Sequence, residues 1–128
     1  MTCNCNSDRI EILIKQGEQR TYNFTIYNTS NVPVDLTNFY IQVEVKKYPL
    51  FKVGSLITKV INNVDSPNGW IENPETGKFT MVITEEESSN LNVGEYYLII
   101  FMNSYDGTSK NIISGEGEQS GVLKICRQ

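Results

Sequence analysis

Apolar and polar residues alternate with a period of two along much of this 128-residue chain. That spacing belongs to strands with one buried face rather than to helices. Arg9 to Lys15 reads RIEILIK, with Ile10, Ile12 and Ile14 in phase. Arg20 to Asn28 sets Tyr22, Phe24 and Ile26 against Thr21, Asn23 and Thr25, and its aromatic and β-branched content favours a strand. Phe39 to Lys47 alternates most cleanly. Phe39, Ile41, Val43 and Val45 share a dry side, while Tyr40, Gln42, Glu44 and Lys46 share a wet one. Pro49 ends that strand.

The pattern continues more weakly from Leu56 to Val64 and resumes over Lys78 to Thr84, where Phe79, Met81 and Ile83 oppose Thr80, Val82 and Thr84. Trp70 and Ile71 form a short strand between two turn signals. One is Asp65-Ser66-Pro67-Asn68-Gly69 and the other is Asn73-Pro74-Glu75-Thr76-Gly77, with Gly77 at the position that needs positive φ. Gln16-Gly17-Glu18 and Asp106-Gly107 mark further turns. Thr84 followed by three acids predicts an N-cap and a single helical turn over Glu85 to Asn90. Asn111 to Cys126 returns as the last strand, interrupted from Gly115 to Gly121. About seven short strands and one helical turn predict an all-β, antiparallel β-sandwich. The expected organisation is an arm over residues 1–8 and one domain over residues 9–128.

The longest apolar run, Leu91 to Met102, predicts the central strand. Leu91-x-Val93-Gly94-x-Tyr96 has the layout of a tyrosine corner, whose hydroxyl bonds back to the preceding backbone. Leu91, Gly94 and Tyr96 are then structural, and Tyr96, Leu98, Ile100 and Met102 point inward. The alternates Tyr97, Ile99 and Phe101 point outward and are also apolar. Such a face calls for cover, from another segment of the chain or from a partner.

Composition removes several functions. There is no histidine, so the commonest general base and metal ligand is missing. The net charge of −4 and the lack of a basic stripe argue against nucleic acid and anionic membranes as partners. No apolar stretch reads as a signal peptide or a membrane span. The Asn23 and Asn28 sequons therefore read as ordinary strand residues. Cys3, Cys5 and Cys126 make an odd count. They read as free thiols or as one bridge from the N-terminal arm to the last strand, and a tetrahedral metal site would lack its fourth ligand. Glu85, Glu86 and Glu87 read as a solvated helix start, since nothing places a facing carboxylate across a cleft. The glycines from Gly115 to Gly121 lack the strand-then-helix context of a phosphate loop. Trp70, with Tyr40, Tyr48 and Phe51 as companions, is the candidate sugar contact. No catalytic, metal or cofactor site is expected.

One resemblance adds to this reading. Gln16-Gly17-Glu18, Pro33-Val34-Asp35-Leu36-Thr37, the Asn73 to Gly77 turn and Leu91-x-Val93-Gly94-x-Tyr96 together resemble a small immunoglobulin-like domain of bacteriophage virion proteins. One example is the N-terminal domain of phage baseplate upper proteins. The likeness spans about Ile10 to Ile125 and departs from the pattern at the cysteine-bearing N-terminus and the glycine-rich interruption. It implies an immunoglobulin-like β-sandwich without enzymatic activity, structural in a virion and made in the host bacterial cytoplasm. It also implies partners among other virion proteins and copies of itself. The chain stops at Gln128 without a stalk, so the leading expectation is a small capsid decoration subunit or an adaptor for head fibres. A tail, baseplate or collar component and a carbohydrate-binding or adhesin module are the alternatives.

Overall fold

The computed structural model describes residues 10–28, 30–47, 54–63, 66–107, 109–113 and 121–127. Nine strands are described: β1 (Ile10–Lys15), β2 (Arg20–Thr25), β3 (Phe39–Lys46), β4 (Ile57–Ile61), β5 (Gly69–Trp70), β6 (Lys78–Ile83), β7 (Gly94–Ser104), β8 (Ser109–Ile113) and β9 (Gly121–Cys126). A 3-10 turn covers Pro74–Thr76 and a helical turn, α1, covers Glu85–Asn90. The count exceeds the expected seven because the last return is two strands and β5 has only two residues. The arm with Cys3 and Cys5, the companions Tyr48 and Phe51, Pro49, and Gly115 to Ser120 lie outside the described residues.

The strands form two sheets. The larger runs β1-β9-β7-β3-β4, with β8 also on β7, and the smaller runs β2-β6-β5. Strand β7 is central, as its apolar length predicts, with β3 along one side and β9 then β8 along the other. The pairings are antiparallel except β1 with β9, which is parallel. Three strands facing a β3–β7–β8/β9 sheet extended by β4 is the arrangement of an immunoglobulin-like sandwich. Two residues after Tyr96, where antibody domains carry a disulfide cysteine, this chain has Leu98, fully buried. An aliphatic core replaces the covalent pin.

That core is what the alternation predicts. Ile12, Ile14, Ile41, Val43, Val45 and Ile61 from the larger sheet face Phe79, Met81 and Ile83 from the smaller, all buried. Each such side chain contributes about 1.5–3 kcal/mol by leaving water. Phe24 and Phe79 are cross-strand partners whose rings stack with centroids 5.1 Å apart. At the end of the 3-10 turn Gly77 has φ 73°, and a Cβ there would lie 2.7 Å from the Ile26 carbonyl oxygen. Only glycine fits where this turn closes against the chain leaving β2.

The crossover between sheets is α1. Thr84 caps it: its hydroxyl accepts from the Glu87 amide at 3.2 Å, while the Glu87 carboxylate accepts from the Thr84 amide at 2.9 Å. Buried Ser88 ties α1 to the β1–β2 turn, donating to the Glu18 carbonyl at 2.7 Å and accepting from the Gly17 amide at 3.1 Å. Gln16 donates to the Leu91 carbonyl at 2.8 Å.

One residue departs from the binary pattern. Lys59 pairs with Val43 on the inner face of the larger sheet, between inward Ile57 and Ile61. Its side chain is fully buried, and its ammonium lies 2.6 Å from Glu87 Oε1. The contact is an ion pair, and among the described residues the ammonium makes no well-directed hydrogen bond. This lysine weakens the alternation of Leu56 to Val64.

Candidate partner-binding face

Register decides which side chains β7 sends each way. Opposite β3 it pairs Leu98 with Val45, Ile100 with Val43 and Met102 with Ile41, all buried in the core. The intervening pairs, Tyr97 with Lys46, Ile99 with Glu44 and Phe101 with Gln42, lie on the outer face of the larger sheet. Val122 of β9 stands beside Tyr97 on the same side.

The start of β7 is held by its tyrosine. Tyr96 is buried, and its hydroxyl donates to the Asn92 carbonyl at 2.7 Å. The Lys47 ammonium sits 4.9 Å from the ring centroid. Buried Leu91 and half-buried Gly94 flank this turn. The Tyr96–Asn92 bond closes the turn that leads into β7.

The outer face is drier than a solvated sheet surface. Ile99 is 6% exposed and Val122 8%, yet neither belongs to the core cluster between the sheets. Tyr97 and Phe101 are half-buried. The expected wet side of β3 needs correction here. Gln42 and Glu44 are half-buried and Lys46 is 8% exposed, because apolar β7 side chains stand against them. These polar groups satisfy one another instead. Asn103 donates to Gln42 at 3.1 Å, and Gln42 donates to Glu44 at 3.0 Å. Glu44 also accepts from the Ser55 hydroxyl and lies 3.8 Å from the Lys46 ammonium. A hydrogen-bonded polar row thus borders an apolar strip. Asn103 was missed in the sequence because its partner is 61 residues away.

The other candidates fall elsewhere. Trp70 is half-buried on the outer face of the smaller sheet, in register with Thr80. Glu85 and Glu86 are exposed, whereas Glu87 is bound to the Thr84 cap and to Lys59. Cys126 is half-buried opposite Lys15 and forms no disulfide among the described residues. No cluster of three metal-binding side chains occurs among the described residues. No helix among them is long and apolar enough to cross a membrane.

The chain matches no protein-family model and no curated protein. It is similar in structure to the N-terminal domain of phage TP901-1 ORF48, with a TM-score of 0.52, 8% identity and 94% of each chain covered. It is also similar, with a TM-score of 0.45, 12% identity and 93% of each chain covered, to a structure from photo-crosslinking analyses of multimeric cell-adhesive interactions of VGSC beta subunits. The first likeness is one of fold over nearly the whole of both chains.

Proposed function

We propose that this protein is a non-enzymatic structural component of a bacteriophage virion, acting through protein–protein contacts. The observation that carries the reading is the outer face of the larger sheet. It is apolar where an isolated sheet would be polar, and it is set on the longest strand of the fold. The sequence resemblance to phage virion domains and the fold likeness to a phage domain support the setting. A tail or baseplate position fits that likeness, and a capsid decoration or head-fibre position fits it equally. In either place the partner is another virion protein or a second copy of this chain, seated on Tyr97 and Phe101 with buried Ile99 and Val122 beneath.

The test is incorporation into particles. Mass spectrometry of purified virions is expected to find the chain, and its absence would remove the proposal. Phe101→Asp and Tyr97→Asp are each expected to melt cooperatively, like the native chain, and to be missing from particles. A folded variant that still incorporates at native copy number would remove this face from the contact. If both variants unfold, the face is core.

A further inference from the structure

The smaller sheet carries a second surface of different chemistry. A groove of about 420 Å³ lies on its outer side, over β2, β6 and the turn that joins β5 to β6. This volume is within the roughly 300–1,000 Å³ typical of small-molecule sites. Strands β2 and β6 supply Asn23, Thr25, Lys78 and Thr80, and the turn supplies Glu72 and Asn73 as a wall. Register sets Asn23 opposite Thr80 and Thr80 opposite Trp70. Adjacent strands are about 4.8 Å apart, so the three side chains form one row across the sheet. Trp70 is half-buried, stands outside the core cluster at the end of that row, and does not itself line the groove.

The groups lining this groove point to one ligand class. Two amides offer a donor and an acceptor each, hydroxyls offer both roles, Glu72 accepts and Lys78 donates. Asn23 is pre-set, since its side-chain oxygen accepts from the Thr80 hydroxyl at 2.9 Å. Among the described residues neither Glu72 nor Lys78 takes part in an ion pair. One carboxylate balances one ammonium, so an anion or a cation gains little. Phe24 and Phe79 also line the groove, so its lining is part polar and part apolar. A neutral, hydroxyl-rich ring presents donors and acceptors in adjacent pairs along its edge and C–H groups on its flat side. Amides and a carboxylate match the edge, and the indole at the end of the row matches the flat side.

We infer that the outer face of the smaller sheet, from Asn23 through Thr80 to Trp70, binds a neutral saccharide. The inference does not depend on the virion reading, and its surface lies on the opposite sheet from the Tyr97–Phe101 face. The groove is partly open to solvent, so one site binds weakly, with a Kd on the order of 1 mM.

The experiment is amide and indole NMR on the isotope-labelled full chain. The probes are maltotriose, triacetylchitotriose and a rhamnose trisaccharide, with inorganic phosphate as the charged control. At least one saccharide is expected to shift the signals of Asn23, Thr80 and the Trp70 indole. Asn23→Ala and Trp70→Ala should each weaken that binding about tenfold while the thermal midpoint holds. Glu72→Gln, at an exposed position, is the second variant if Trp70→Ala does not fold. No shift with any of the three saccharides, shifts confined to other surfaces, or a response to phosphate alone would overturn the inference. Loss of saccharide binding without loss of particle incorporation would separate this site from the proposed protein interface.

Discussion

The buried Lys59–Glu87 pair makes the sharpest stability prediction, because its two partners are unequally exposed. The Lys59 side chain is 0% exposed and that of Glu87 is 25% exposed. Removing one partner of a buried pair costs about 3–5 kcal/mol, most of it from the charge left behind. Glu87→Gln keeps the reciprocal cap with Thr84 but strips the charge that faces the ammonium. The lysine is then alone among Val43, Ile57 and Ile61, as none of the described side chains gives it a well-directed hydrogen bond. Because Glu87 is partly solvated, the low end applies, about 3 kcal/mol. With about 4 °C of midpoint lost per kcal/mol in a domain of this size, the melt falls by roughly 12 °C. Lys59→Met removes the other charge, keeps the volume and leaves Glu87 where water reaches it. Replacing a buried charge by a well-packed apolar side chain is often neutral or stabilising, so this variant is expected within about 1 kcal/mol of the native chain. Lys59→Met with Glu87→Gln should recover most of the loss caused by Glu87→Gln alone. Urea and thermal unfolding of the four proteins measure the cycle. Equal losses in the two single variants would refute the reasoning, since they would mean that the ammonium is not the stranded charge.

Other predictions follow from single contacts. Gly77→Ala forces a side chain into φ 73° and 2.7 Å from the Ile26 carbonyl oxygen, so a loss above about 2 kcal/mol is expected by chemical denaturation. Tyr96→Phe removes the 2.7 Å bond to the Asn92 carbonyl and keeps the buried ring, for a loss of about 1 kcal/mol in the same assay. Hydrogen bonds from the Thr37 hydroxyl, and then from its amide, hold the exposed Asp35 carboxyl below its ordinary value of 3.8. The folded value is the lower one, so the contact stabilises at pH above 3.8 and is lost as pH falls through the folded value. Carbon-detected NMR should show an Asp35 midpoint below 3.8 that moves upward in Thr37→Ala, and a native midpoint at or above 3.8 would contradict this.

What the sequence determined by itself is local. Period-two alternation over Phe39–Lys46 and Lys78–Ile83 named the core side chains, because a strand's faces follow from backbone geometry alone. Thr84 with Glu87 named the helical turn, since a capping box is closed within four residues. Gly94 and Tyr96 named the turn before β7 for the same reason, as the hydroxyl reaches back only to Asn92. Pairing between distant segments was decided by the tertiary structure. The parallel docking of β1 on β9 joins the two ends of the described chain, and no local pattern distinguishes it from an antiparallel one. Lys59 lies where alternation is weak, and only its register with Val43 sets it inside the sandwich against Glu87. Ile99 read as outward-facing, and register keeps it on the outer face. Its burial, at 6% exposed, is not something local alternation could show. Trp70 was visible as a lone aromatic, but only the β2–β6–β5 pairing aligned it with Thr80 and Asn23. Alternation assigns a residue to a face, whereas what lies beside that face depends on strands that meet only after the chain has folded.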